Sequence, residues 1–197
     1  MVYVESPQRD DEDKRMSAPS SSGESAVFRQ AMREFAAGVS IVACGAGDAR
    51  SGCTVTALTS LSLAPPTLLV CLSRDAHTLK RLRETGAFSV NLLAARHREL
   101  ADRFASRVGE RGAARFAVGR WTTLATGSPL LADALAAIDC RVEEIIERHT
   151  HAIVIGRVKD LTISDGAGAL VYWRGGFDQL GWSQDELSRA IGLTPAG

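Results

Sequence analysis

A run of hydroxyl-bearing residues without charge could lie against a polar but neutral group. Thr and Ser alternate with apolar residues from Thr54 to Leu63, and no charged residue stands between Ser51 and Ser73. Because Thr is β-branched and strand side chains alternate between two faces, this run predicts a strand with one mainly polar and one mainly apolar face. The pattern is typical of a surface covered by a flat, neutral heterocycle. An ordinary β-sandwich strand with its threonines outward would show it too.

Two other candidate sites lack the residues that their chemistry needs. His149 and His151 would share one face of a strand, but a zinc site needs three or four ligands, and no nearby cysteine or acidic cluster supplies them. We therefore expect no metal. The glycines of Gly45-Ala46-Gly47 lack the rest of a dinucleotide fingerprint, and no predicted helix follows them. A dinucleotide site in that loop is not expected.

Composition places the chain among ordinary globular proteins. Its 197 residues are 45% hydrophobic and 23% charged with a net charge of zero, which favours one domain and argues against nucleic-acid binding. No apolar run approaches the ~18 residues of a membrane span, and the polar N-terminus does not resemble a signal peptide. The four cysteines form no C-x-x-C pair, so we expect reduced, buried thiols and a cytoplasmic protein.

Local patterns divide the chain into a tail, a domain and a C-terminal extension. Residues 1–24 are rich in Ser, Pro and charge and predict a disordered tail. Residues 25–182 form the domain, and residues 183–197 form a C-terminal helix and tail. We expect a first helix from an N-cap at Ser25 to about Gly38. Further helices are predicted over 75–85, 96–107 and 183–191, with a short helical turn from Ser128 to Ala134.

The strand predictions favour a mainly β protein with peripheral helices. Besides the Thr/Ser strand, the strands are predicted over 39–44, 67–72, 87–92, 136–146, 151–161 and 170–173, with a break at 175–177. About seven strands with short turns favour a closed antiparallel β-barrel. Strands and helices do not alternate strictly, so a doubly wound parallel sheet is not expected.

Six segments in this order resemble the flavin reductase family, the small reductase components of two-component flavin monooxygenases. They span about Phe28 to Leu180. The segments are GCTVTALTSLSLAPPTLLVCL, then T-L-x-x-L-x-x-x-G-x-F-x-V-N-L-L, then L-A-D-R-F-A, then G-S-P-L-L-x-x-A-x-A-x-x-D-C-x-V, then H-x-I-V-I-G-R-V, then L-V-Y-W-R-G-x-F. The resemblance implies an FMN-binding split barrel and a homodimer with flavin near the subunit interface. It also implies electron transfer from NADH or NADPH to flavin, and diffusion of the reduced flavin to a partner monooxygenase.

The resemblance implies a flavin site along the Thr/Ser segment. The flavin ring needs a firm wall, donors facing its N1–O2 edge, and an open face for the nicotinamide. The segment that matches the family's ring contacts, with the neighbouring hydroxyls, is Thr54, Val55, Thr56, Ala57, Leu58, Thr59 and Ser60.

Further positions are assigned to the phosphate and to the edges of the ring. Flavin phosphate needs N–H groups at a helix start together with hydroxyls, so Ser73 and Thr78 are candidates, and Arg74 could add charge. The family's Val-Asn and Arg-Phe pairs correspond to positions expected near the flavin. These are Asn91, Arg103 and Phe104. The closing segment of the family places Phe177, or Trp173, over the flavin or at the subunit seam.

His151 is the residue expected to contact and orient the nicotinamide. It matches the family's His-x-Ile pattern at the start of a strand. Hydride transfer needs no proton donor on the protein, so no acid–base role is assigned to it. Thr150 precedes it where many relatives carry Asp, so no charged partner is implied.

Alternatives remain open at this point. A protein of this fold could hold flavin tightly as an electron carrier or sensor, or could be an oxidase with its own small substrate. The sequence does not distinguish FMN from FAD. It does not distinguish NADH from NADPH either, since Arg74, Arg148 and Arg157 could each meet a 2′-phosphate.

Overall fold

The computed structural model describes residues 21–105, 110–164 and 168–181, and the chain divides between Phe35 and Ala36 into two units. The first unit holds the predicted amphipathic helix, α1 (Ser21–Arg33). Ser25 lies inside this helix, so its prediction as N-cap was wrong, and so was the predicted end near Gly38. Glu24 stands in the first turn, where a carboxylate interacts favourably with the helix N-terminus.

The second unit is built on a seven-stranded antiparallel sheet. Its strands are β2 (Ser40–Cys44), β3 (Ser51–Val55), β4 (Leu58–Leu63), β5 (Pro66–Ser73), β6 (Ala87–Leu92), β9 (Ala136–Arg148) and β10 (His151–Ile163). In the sheet they follow the order β3-β2-β6-β9-β10-β5-β4. Five of them were predicted as single strands close to these bounds.

The Thr/Ser run is two strands and not the single strand that its periodicity predicts. β3 and β4 occupy the two ends of the strand order, and Thr56 and Ala57 carry the chain from one to the other. Val55 lies opposite Ser40 of β2, whereas Leu58 lies opposite Val70 of β5. The chain itself therefore joins the two edges of the sheet and closes it into a barrel, as the fold-class prediction required.

The core has two parts. Inside the barrel, aliphatic residues of the sheet pack against Phe88 and against Leu79 and Leu82 of α2 (His77–Thr85). A second cluster lies on the other face, where α3 (Arg98–Phe104) and the 3₁₀ turn Gly112–Ala117 cover the sheet with Phe104 and Phe116. α2 thus begins two residues later than predicted. The helix predicted over 96–107 is a 3₁₀ turn at Ala95–His97 followed by α3, which ends three residues earlier than predicted.

The predicted helical turn from Ser128 to Ala134 was wrong. Leu130–Leu131 forms a two-residue strand, β8, paired with β7 (Trp121–Thr122). Buried side chains hold this segment extended, because Leu131 N donates to Asn91 Oδ1 and Ser89 Oγ donates to the Pro129 carbonyl.

The predicted break at 175–177 was wrong for its last two residues, because a strand begins at Gly176. β1 (Ala37–Gly38), β11 (Ala169–Trp173) and β12 (Gly176–Leu180) form a small sheet in the order β1-β11-β12. Arg174 and Gly175, with φ of 49° and 89°, make the tight turn between β11 and β12. In the sequence, the glycines at this turn look like the end of the last strand. The predicted N-terminal tail up to residue 20 and the helix over 183–191 lie outside the described residues.

Candidate active site

A cavity of about 740 Å³ opens beside the start of α2. Segments from three parts of the chain line it, and they include several hydroxyl, imidazole and charged side chains. The lining residues are Ser51, Cys53, Asp75, Ala76, His77, Thr78, Glu110, Arg111, Gly112 and Arg115. Of the residues predicted for the phosphate, the structure places Thr78 in this wall.

The inner end of the cavity carries a pair of buried hydroxyls. Ser51 Oγ and Thr78 Oγ1 lie 3.1 Å apart, and each side chain is only 3% exposed. His77 Nδ1 lies 3.3 Å from Ser51 Oγ. The N-cap residue of α2, Ala76, supplies no side-chain cap, so the positive end of this nine-residue helix is not neutralised from there. Hydroxyls beside a helix N-terminus suit a phosphate group.

Arg115 is a site residue that the sequence analysis missed. Its Nε donates to the Glu110 carbonyl at 3.0 Å, and its Nη1 donates to the carbonyls of Gly52 (3.1 Å) and Phe104 (3.3 Å). These bonds fix a positive charge in the cavity wall. A signal existed, because Arg115-Phe116 repeats the Arg103-Phe104 pair twelve residues later.

Arg103 stands behind the cavity wall rather than in it. Its Nη1 donates to Glu110 Oε1 at 2.7 Å, and its side chain is 14% exposed. Phe104 is a core residue, packed edge-on against Phe116 with ring centroids 4.9 Å apart. A Cβ on Gly52 would lie 2.8 Å from the Phe104 ring, so β3 and α3 touch closely here.

Cys53 contributes a neutral thiol to the cavity. Burial raises its pKa to about 11, against the opposing effects of the Thr78 hydrogen bond and the Arg115 charge. Burial likewise raises the pKa of Cys44 to about 12 and that of Cys140 to about 12. All four cysteines are free.

Ala57, one of the predicted ring contacts, and Ser73, predicted for the phosphate, lie at the same end of the barrel as His151. Ser73 lies opposite His151, and the Ala57 carbonyl accepts a hydrogen bond from Cys71 N, two residues before Ser73. Since neighbouring strands are about 4.8 Å apart, His151 is two strands, roughly 10 Å, from the 56–57 junction. Both His151 and the junction are exposed. The hydroxyl of Thr150 lies 2.8 Å from His151 Nδ1 and is a neutral partner for it.

The surface around the junction carries no charge over three strands. Side chains that alternate with the buried ones on β4, β5 and β10 face outward here and are apolar or hydroxyl-bearing. They are Ala57, Thr59, Leu69, Cys71, Ser73, Ile153 and Ile155, which we call the neutral patch. Thr56, Leu58 and Ser60 flank it. The uncharged surface predicted from the Thr/Ser run is therefore present, but it spreads over three strands instead of one.

Several predicted contacts have other partners in this structure. The Arg74 guanidinium pairs with Glu147 at 3.0 Å and donates to the His149 carbonyl at 3.1 Å, beside the β9–β10 turn. Thr54 Oγ1 donates to the Ala101 carbonyl at 2.6 Å and ties β3 to α3. Phe177 packs against Tyr172 in the β11–β12 hairpin, with centroids 5.5 Å apart.

Asn91 is fully buried, and its amide is used within the barrel. Nδ2 donates to the Ile41 carbonyl and to Ser89 Oγ, each at 3.1 Å, and Oδ1 accepts from Leu131 N at 2.7 Å. These bonds hold β2 and the 130–131 segment together. The structure thus gives Asn91 a supporting position behind the site.

Two features are absent from the described residues, 21–105, 110–164 and 168–181. They contain no group of three or more His, Cys, Asp or Glu placed to hold a metal ion. Within the same ranges, no helix is both long and apolar enough to cross a membrane.

A closed antiparallel barrel that combines a cavity lined by hydroxyl and charged side chains at a helix start with an uncharged outer strand surface defines the class of flavin-binding split barrels. The flavin reductase like domain family matches residues 32–181, and the chain belongs to this family. The match includes the whole barrel and all the site residues described above.

Comparison with individual proteins agrees with the family. The chain is 41% identical over 146 residues to the FMN reductase (NADH) RutF of Agrobacterium fabrum, covering 74% of this chain and 83% of that protein. It is 40% identical over 146 residues to RutF 2 of Methylorubrum extorquens, covering 74% and 84%. BorF, the flavin reductase component of a bacterial two-component tryptophan halogenase, superposes with a TM-score of 0.73 at 36% identity, over 79% of this chain and 98% of that one.

A further solved structure shows which ligands such a barrel holds. The NADH:FAD oxidoreductase SgcE6 of Streptomyces globisporus C-1027, in complex with NAD and FAD fragments, has a TM-score of 0.73 at 27% identity, over 84% of this chain and 98% of that one. The predicted family, fold class and enzyme class, a flavin reductase, are confirmed.

Proposed function

We propose that this protein oxidises NADH and reduces FMN, and that the reduced FMN leaves to serve a separate monooxygenase. One hydride from NADH and one proton from water convert FMN to its dihydro form and leave NAD⁺. The observation that carries the proposal is the polar cavity at α2, whose β3 wall continues along the chain into the neutral patch. From Cys53 to Ala57 the chain spans four residues, at most about 14 Å when fully extended. A phosphate at one end and a ring at the other are within that reach.

The residues present fit a flavin mononucleotide. Ser51, Thr78 and Arg115 supply donors for a phosphate dianion, and the start of α2 adds a partial positive charge. The neutral patch offers a flat wall without a charge that would oppose a heterocycle. When bound, the flavin supplies a ring that accepts a hydride and passes electrons on. The work of the chain is to position that ring and leave one face open.

We assign His151 to positioning the nicotinamide. It is exposed at the end of β10, its Nδ1 is held by the Thr150 hydroxyl, and Ser73 lies directly opposite on β5. Its ring therefore borders the neutral patch without covering it. An imidazole there can contact the nicotinamide carboxamide, and no proton transfer is required of it.

The choice of FMN and NADH rests on the relatives. The chain is about two-fifths identical to two proteins named FMN reductase (NADH), over about three-quarters of its length. BorF is described as a component of a two-component system, which supports a diffusing flavin product.

We also propose a homodimer in which a second copy borders the neutral patch. The support is apolar surface on the strands that carry the patch: Leu61 and Leu63 of β4 are 51% and 87% exposed. Sedimentation velocity should give twice the chain mass, and Leu61→Arg should shift the protein toward the monomer. A wild-type protein that sediments as a monomer at micromolar concentration would refute this part.

The function is tested by following NADH absorbance at 340 nm with FMN, FAD or riboflavin. We expect rapid oxidation with FMN, and no oxidation with any of the three would overturn the proposal. His151→Ala should raise the KM for NADH about tenfold with the Kd for FMN changed less than about twofold. His149→Asn is the matched control, since Asn tolerates the φ of 49° at that turn. It should behave as wild type.

A further inference from the structure

Glu110 places a second carboxylate, besides that of Asp75, in a cavity whose hydroxyls, helix N-terminus and Arg115 suit an anion. It lines the same wall as Thr78 and Arg115, and its Oε1 accepts from Arg103 Nη1 at 2.7 Å. The Arg103 side chain is 14% exposed and that of Glu110 is 37% exposed. Glu110 therefore lies between the cavity and the guanidinium of Arg103, and it shields that positive charge from anything in the cavity.

The pairing of these two groups is incomplete. Among the residues that the structure describes, Arg103 Nε and Glu110 Oε2 are buried polar atoms without a hydrogen-bond partner. A guanidinium can donate two parallel hydrogen bonds to an oxyanion, and charge-assisted pairs of that geometry are stronger than single contacts. A single contact that leaves one donor and one acceptor unused is one that a better-fitting anion can replace.

We propose that Glu110 is a specificity-determining residue: its carboxylate competes with the 5′-phosphate of the flavin for Arg103. Binding of the phosphate displaces Glu110 and exposes the guanidinium, and Glu110 returns to Arg103 when the flavin leaves. This inference rests on the proposed function, because it assumes that the cavity takes the phosphate. Its consequence is that Glu110 weakens the binding of phosphorylated flavin but not of riboflavin, and so favours release of the product.

The test measures binding without NADH. The purified full chain is titrated into FMN and into riboflavin at fixed ionic strength, and quenching of flavin fluorescence gives Kd. Glu110→Gln removes the competing charge but keeps the shape of the side chain. We expect it to lower the Kd for FMN about tenfold and to leave the Kd for riboflavin within about twofold.

Two further variants separate local competition from general electrostatics. Glu99→Gln removes a negative charge from the first turn of α3, the helix that carries Arg103, and should leave the ratio of the two Kd values unchanged. Arg103→Gln should weaken FMN binding about tenfold, and adding Glu110→Gln to it should bring no further gain. Thermal melting of each variant shows whether the fold is kept.

The inference is overturned if Glu110→Gln binds FMN no more tightly than wild type, or if it tightens riboflavin equally. A tighter FMN complex in the Arg103→Gln background would also overturn it, since the gain would then not pass through Arg103. In these cases the wild-type protein still binds flavin and oxidises NADH, so the proposed function stands. A wild-type protein that binds neither flavin overturns both.

Discussion

Gly156 of β10 should be a position at which even alanine destabilises the barrel. It lies opposite Val142 of β9 at a register shift, and its Cα faces the interior. A Cβ added there would lie 2.4 Å from Cζ and 2.6 Å from Cε1 of Phe88, and 3.2 Å from Cβ of Cys140. Phe88 and Cys140 are both fully buried. Because the ring is fully buried, it cannot turn out into solvent, so Gly156→Ala forces a rearrangement of the core.

The expected size follows from two opposing effects. Overpacking a core by one methyl costs about 1–3 kcal/mol. Replacing Gly by Ala also restricts the unfolded chain and returns about 0.4–1 kcal/mol. The free energy of unfolding should therefore fall by about 1–2 kcal/mol, which for a domain of this size lowers Tm by roughly 2–8 °C.

The assay is reversible urea unfolding followed by circular dichroism, with a double-mutant cycle. Phe88→Leu removes the atom nearest the new methyl and alone should cost about 1–2 kcal/mol by leaving a cavity. In the double variant the two changes compensate, so its loss should be smaller than the sum of the single losses by about 1 kcal/mol. Gly38→Ala is the control, because a Cβ there meets no atom within 4 Å.

Two results would refute this reasoning. One is a Gly156→Ala protein as stable as wild type, which would mean that Phe88 moves aside at no cost. The other is strict additivity in the cycle, which would place the cause of any destabilisation elsewhere than in the contact between residues 88 and 156.

Three more predictions concern the site and the residues behind it. Thr78→Val should raise the Kd for FMN about tenfold but not that for riboflavin, because it removes a hydroxyl from the phosphate end of the cavity; equal losses for both flavins would contradict this. Asn91→Ala leaves the Ile41 carbonyl and the Leu131 N–H without their partners, so the free energy of unfolding should fall by about 2–4 kcal/mol in urea titrations, and a loss under about 1 kcal/mol would show that water replaces the amide. Three thiols with raised pKa, those of Cys44, Cys53 and Cys140, stay protonated in the folded protein, whereas the unfolded chain loses these protons above about pH 9. The free energy of unfolding should therefore fall as pH rises from about 9 to about 12. Cys140→Ala should make that fall less steep, and an unchanged slope would argue against a raised pKa for Cys140.

Features that depend on residues adjacent along the chain could be predicted from the sequence. The paired strands over 136–148 and 151–163 were both predicted, each two residues shorter at its C-terminal end, and they meet at the two-residue turn His149–Thr150 instead of the four-residue polar turn expected. Thr78 was predicted for the phosphate because a hydroxyl at a helix start is a local feature, and the structure places it in the cavity wall. The family resemblance has the same local origin, since each of its six segments is a short run of residues.

The break at Thr56–Ala57 was not predictable from periodicity. The alternation of Thr and Ser continues across it, and neither Gly nor Pro marks it. The chain bends there because Val55 pairs with β2 and Leu58 pairs with β5, and these are strands far apart in the sheet order. Such pairing is a property of the closed barrel and leaves no trace in a window of ten residues.

The missed site residues share this non-local origin. Ser51, His77 and Arg115 come from three separate segments, and no single segment shows an anion site by itself. Asn91 illustrates the converse. The Val-Asn pair of the family identifies Asn91 as a candidate site residue. Because β6 is buried on both faces, the alternation of its residues does not show whether the Asn91 amide contacts a ligand or a neighbouring strand.

The junction that closes this barrel is also where we propose that the flavin ring binds. In a barrel that is closed by hydrogen bonds between all neighbouring strands, the backbone groups of every strand are paired. Here the chain closes the barrel by crossing from β3 to β4 through Thr56 and Ala57, which belong to neither strand. The Ala57 carbonyl accepts a hydrogen bond from Cys71 N, and both Thr56 and Ala57 are exposed. An irregular, uncharged stretch of backbone is thereby held rigidly between two ladders. Strand irregularities of this kind recur beside active sites because they present backbone and short side chains to a ligand. Inserting one residue between Thr56 and Ala57 should therefore abolish flavin binding while the two ladders, which pair independently, keep the fold.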